Sequence, residues 1–258
     1  MQLASPRFFL CGFGGIILAF CAQIALLAQN KVAAPSTRRP AASVPFVGCK
    51  SDGQTGPADA PTGTNKSVSI DRDAAKELAY YESAVGFGVL APRGWHCLGN
   101  YGSGGASLFA SPEPIYSPDW RSGPAVELAG WNGGTSGRFE VAQIIARVFP
   151  AHKPFADAVI ADFPGLLPSR FPYGPYPADK LTYKSKTVVE YRTPAQADGL
   201  GTHSSLKKNA SPIVGAALLT GPTPDLLLLS VRLPPDLSRL AASIVRQGEL
   251  DAASSAQK

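Results

Sequence analysis

Serine, histidine and carboxylate are the side chains from which a hydrolase is built, and this chain brings few of them together. Tyr101-Gly102-Ser103-Gly104-Gly105 sets a serine among glycines, which permit a sharp turn and free backbone N–H groups for an oxyanion. A nucleophile elbow needs glycine two residues before the serine, where Tyr101 stands, and the trypsin-like version needs aspartate in place of Gly102. The three histidines, His96, His152 and His203, are about fifty residues apart, and only His96 precedes Ser103. The segment therefore reads as a turn between strands. With no second histidine or carboxylate at ligand spacing on one helix, neither a metal nor another cofactor is expected. Gly86-Phe87-Gly88-Val89-Leu90-Ala91 has the glycines of a dinucleotide loop, but Pro92 follows where the helix must begin.

Aromatic side chains carry the stronger signal. Phe163 to Ala178 holds five prolines together with Phe171, Tyr173 and Tyr176, and prolines lower the entropic cost of presenting rings to a partner. Trp95, and Trp131 with Asn132, fall at strand ends, where a flat ring can stack on a sugar face. Tyr173, Tyr176, Trp95, Trp131 and Asn132 are the expected ligand-binding residues, with core packing as the competing account of each ring.

The elements that must position them follow from composition and pattern. The chain has 258 residues, 45% hydrophobic and 17% charged, in the range of a globular protein. Its formal charge of +5 is misleading: four of the 24 bases and none of the 19 acids precede Val44, so the remainder carries 20 bases against 19 acids. A near-neutral body removes the electrostatic case for nucleic acid. From Phe8 to Ala28 no residue is charged, and as a helix this stretch would be about 31 Å long, enough to cross a bilayer. Residues 1–29 read as a membrane anchor or a cleaved signal peptide, 30–43 as a linker, 44–250 as one domain and 251–258 as a frayed tail. Lys31, Arg38 and Arg39 after the span argue weakly for the reverse orientation. Cys49 and Cys97, the pair outside the span, lack zinc or redox spacing and are expected as a disulfide, which places the domain in the periplasm or on the outer face of the inner membrane.

Apolar spacing predicts helices over Ser136–Phe149, Pro235–Gln247 and Asp71–Ser83, with a shorter one over Phe155–Phe163. Alternation predicts one strand over Lys180–Arg192, and Val85–Ala91, Ala106–Ser111, Ala125–Trp131, Ile213–Leu219 and Leu226–Leu233 are further strands. The leucine run from Leu226 suits a central strand. The expected fold is α+β, an antiparallel sheet of about six strands with three or four packed helices.

Through Gly88-Val89-Leu90-Ala91-Pro92-Arg93-Gly94-Trp95, Glu190-Tyr191-Arg192-Thr193-Pro194-Ala195 and Val231-Arg232-Leu233-Pro234, the chain resembles a family of uncharacterised exported proteobacterial proteins. A strand leading into Pro-x-Gly-Trp, followed by a sheet and a closing helix, also resembles the element order of the PsbP and Mog1-like fold. That likeness implies an accessory binding role. The functional expectation is a non-enzymatic envelope protein whose partner is a protein or glycan, tethered to the membrane by its N-terminal segment. The alternative is a hydrolase of cell-wall or secreted substrate using Ser103 or His203.

Overall fold

The computed structural model of the chain describes residues 41–163 and 171–255. The apolar span Phe8–Ala28 lies outside them. Among the described residues no helix is long and apolar enough to cross a membrane.

Strands β1 (Ala42–Cys49), β2 (Ser51–Gly53) and β3 (Asn65–Val68) lead into helix α1 (Arg72–Glu77) and strand β4 (Leu78–Ser83). Then come β5 (Gly88–Pro92), β6 (His96–Gly102), β7 (Gly105–Ser111), β8 (Ala125–Trp131), α2 (Arg138–Val148) and α3 (Lys153–Ala161). The chain closes with β9 (Lys180–Tyr183), β10 (Val188–Thr193), β11 (Ile213–Thr220), β12 (Asp225–Arg232) and α4 (Ala241–Ser255).

The fold is α+β, but the expectation of one antiparallel sheet of about six strands needs correction. The described residues form two sheets, β3-β1-β4-β5 and β2-β6-β7-β8-β12-β11-β10-β9, and the β1–β4 and β2–β6 pairings are parallel. The first three strands escaped notice because Ala42 to Val68 is rich in proline, glycine and polar residues and shows no sustained alternation.

Core packing explains the leucine run. Leu227 and Leu229 enter one core with Leu108, Leu128, the small sheet's Leu78 and Val89, and Ile244 of α4. Leu226 and Leu228 enter the other with Val141, Ile144 and Ile145 of α2 and Val159 of α3. A strand covered on both faces has no polar side to show, as expected for β12 between β8 and β11.

Three local expectations are corrected by the packing. The helix proposed for Asp71–Ser83 stops at Glu77, and Leu78 to Tyr81 enter β4, where almost complete burial favours extended aromatic residues over a one-faced helix. Lys180–Arg192 is a hairpin, not one strand. Alternation runs unbroken through it because β9 and β10 pair odd residues with odd, Tyr183 with Val189 and Leu181 with Tyr191. The last helix begins at Ala241 after a 3-10 turn, Pro235–Leu240, and runs through Gly248 to Ser255. A Cβ on Gly248 would meet Leu229 Cδ2 at 2.7 Å, so that glycine lets the helix approach the sheet and does not end it. Residues 251–255, expected to fray, are held by buried Ala252 and by Asp251, which accepts from Gln247 Nε2 at 2.8 Å and the Tyr80 hydroxyl at 3.1 Å.

The expected disulfide is present. Cys49 ends β1 in the small sheet and Cys97 lies in β6 of the large one, with Cα atoms 5.5 Å apart.

Candidate functional site

The sequence-expected residues do not gather at one place. Gly102 of β6 pairs with Gly105, which in turn pairs with Trp131, so Trp131 lies level with the far end of β6 from His96. Trp95 precedes His96, roughly 20 Å from that end along the strand. It packs half-buried on the first core, and its backbone N–H donates to the Tyr81 hydroxyl at 3.1 Å. The two tryptophans therefore form no common platform. Asn132 serves its own turn, its Oδ1 accepting from Gly134 N–H at 2.8 Å.

The proline-rich loop is fastened by its rings. Tyr173 donates to the Asp157 carboxylate of α3, with the Lys153 ammonium 4.6 Å from its ring centre. Tyr176 meets His203 Nδ1 at 3.2 Å, and the Arg147 guanidinium lies 4.1 Å over its ring. His203 Nε2 reaches Glu140 Oε2 at 3.2 Å, so both ring nitrogens are engaged. Burial pushes the Tyr176 phenol up, with Arg147 pulling the other way, and it remains a hydrogen-bond donor at neutral pH. A cavity of about 470 Å³ opens over this group. Ser103 lies in the exposed β6–β7 turn with Ser136 Oγ at 3.2 Å, and lines a different cleft, of about 610 Å³, with Phe87, Asn132 and Asp225. Ser103 and His203 thus belong to separate places.

What converges instead lies around Trp131. Pairing of β6, β7 and β8 sets Asn100, Ser107, Phe109, Glu127 and Trp131 on one face of the large sheet. Loop 112–124 folds over that face with Trp120 edge-on to Phe109, ring centres 4.9 Å apart. A cavity of about 330 Å³ results, walled by Phe109, Tyr116, Trp120 and Trp131 and edged by Asn100, Ser107, Arg121 and Ser205. Tyr116 is 67% exposed and holds φ at 76°, a left-handed conformation that costs a bulky residue on the order of 1–3 kcal/mol.

Two buried charges beneath the cavity fix its walls. Arg232 is 1% exposed and donates through Nε to Gly123 O at 2.7 Å, through Nη1 to Lys207 O at 2.6 Å and through Nη2 to Arg121 O at 2.6 Å. One guanidinium thereby joins loop 112–124 to the segment around Lys207, whose own N–H donates to Arg121 O at 2.9 Å. Glu127, fully buried, accepts from Ser204 Oγ at 2.6 Å and from Ser205 N–H at 3.3 Å. Burial pushes its carboxyl well above the usual range, while these donors oppose the shift. Burial pulls Arg232 down, and Glu127 supports its charge.

Phe109, Trp120, Arg121, Glu127 and Arg232 were not expected from sequence. The available signal was an acid inside the apolar strand Ala125–Trp131 and an arginine closing the run Leu226–Val231, both at positions that must be buried. No protein-family model, curated protein or solved structure matches the chain.

Proposed function

We propose that this chain is a non-enzymatic binding protein of the cell envelope that seats a ring of a glycan in the Trp131 pocket. The observation that carries the reading is a pocket walled by Phe109, Tyr116, Trp120 and Trp131 with amide and hydroxyl groups at its edge, its loops locked by Arg232 before any ligand arrives. Stacked rings take the apolar face of a sugar, polar edges take its hydroxyls, and a pre-organised wall saves ordering entropy. The residues lining this cavity offer no imidazole, thiol or carboxylate, and in the adjoining cleft that shares Trp131 the Asp225 carboxylate is engaged by Gly133 N–H at 2.9 Å, which favours binding over hydrolysis. Export is supported by the Cys49–Cys97 bond together with the apolar segment Phe8–Ala28.

Intrinsic fluorescence tests the reading directly, since Trp120 and Trp131 both wall the pocket. Titration with envelope oligosaccharides should perturb emission saturably, and Trp131→Ala should weaken binding at least tenfold while the protein stays folded. Fluorophosphonate labelling of Ser103, with loss of cellular activity in Ser103→Ala, would overturn it in favour of a hydrolase.

A further inference from the structure

The pocket carries one charge that the molecule leaves unspent. Lys66, Lys76, Arg138, Lys153, Lys184, Lys208 and Arg239 each meet a carboxylate within salt-bridge distance. Arg121 meets none among the described residues, as is also true of Lys50, Arg72, Lys180 and Arg246, and of these it is Arg121 that lines the cavity. Its guanidinium lies 5.2 Å from the Trp120 ring centre, at the edge of the cavity. Its backbone is anchored from outside the loop, because Arg121 O accepts from both Arg232 Nη2 at 2.6 Å and Lys207 N–H at 2.9 Å. The fold thus fixes the root of this side chain and leaves its charged end facing solvent and pocket. The buried acid Glu127 is occupied by Ser204 and Ser205. Asn100 and Ser107 also present side chains to the cavity with no hydrogen-bond partner among the described residues.

We infer, resting on the glycan-binding reading, that the ligand is an acidic sugar whose ring stacks in the pocket and whose carboxylate is taken by Arg121. A planar guanidinium meets a carboxylate through two parallel N–H donors, and stacking on Trp120 narrows the directions it can point. Asn100 and Ser107 supply neutral donors and acceptors for ring hydroxyls. A neutral sugar would use the rings and leave the guanidinium idle.

The test is a fluorescence titration at low ionic strength with three probes: a glucuronate-containing disaccharide, its carboxyl methyl ester and the corresponding neutral glucose disaccharide. The acid should bind roughly tenfold or more tightly than the ester, the ratio expected of one charge-assisted contact at a partly exposed site. Arg121→Gln should abolish that preference, so that acid and ester bind alike. Arg121→Lys should recover part of it, since charge is kept and the two-pronged geometry is lost. Equal binding of acid and ester overturns this inference and leaves the glycan reading standing. Binding of none of the three by a folded protein, with wall-derived oligosaccharides equally silent, overturns both.

Discussion

Removing the bond between Cys49 and Cys97 should cost this domain a large share of its stability, by an amount the topology sets. The two residues are 48 apart in sequence, and the loop they close contains β2, β3, α1, β4 and β5. Loop-closure entropy for that span is about 4 kcal/mol, against a usual total of about 5–15 kcal/mol for a domain. The bond also fastens the edge region of the large sheet to β1, and without it the two sheets are held together by their shared core. The experiment is urea denaturation of the oxidised protein and of a Cys49→Ser/Cys97→Ser variant, followed by circular dichroism and tryptophan emission. The variant should lose about 3–4 kcal/mol, and its denaturant slope should rise, because an uncross-linked unfolded chain exposes more surface. A loss below about 1 kcal/mol with unchanged slope would refute the argument, as it would mean that the unfolded chain is already compact around this loop.

Burial, and then the neighbouring Glu190, push the Glu249 carboxyl up to about 7, with Lys184 and Arg246 opposing. A raised acid stabilises the fold below its ordinary value of 4.5, and that contribution is lost as pH rises through about 7. Discounted because the side chain is only half buried, the loss is about 1–2 kcal/mol, so in denaturant melts Glu249→Gln should be more stable than the parent at pH 8 and indistinguishable at pH 4. Arg232→Met strands the carbonyls of Arg121, Gly123 and Lys207 and should cost roughly 3 kcal/mol or more, with limited proteolysis reporting early cleavage in loop 112–124. A Cβ on Gly105 would stand 1.9 Å from Gly130 O; Gly105→Ala should therefore part β7 from β8, lower the thermal midpoint by several degrees and abolish ligand-induced emission changes.

Periodicity made the middle and end of the fold legible. Ala125–Trp131 is a strand over those very residues, and the face of α2 bearing Val141, Ile144, Ile145 and Val148 is the buried one. These elements bury one face, or both, against large apolar neighbours, so tertiary packing and local pattern agree. The opening strands carry no such pattern because pairing and the disulfide hold them more than burial does: β2 is three residues long, and β1 includes Pro45 and Gly48. At the site, Trp131 could be proposed as a surface ring from its place at a strand end. Its companions could not, since Trp120 and Arg121 reach it through a proline-rich loop whose path is set by carbonyls bound to Arg232, a contact 111 residues distant in sequence.

The place of β12 has a consequence for how the molecule comes into being. Strands β2, β6, β7 and β8 come from the first half of the chain and β9 to β12 from the second, and the halves join along one seam, from Leu226 opposite Trp131 to Arg232 opposite Ala125. Until the ribosome has delivered β12, β8 is an open edge with apolar residues on both faces, the kind of surface that invites wrong pairing. The same seam brings in Arg232, so loop 112–124 and the segment around Lys207 gain its three hydrogen bonds only when the seam forms. Closure at the last strand completes the large sheet and the walls of the cavity around Trp131 together.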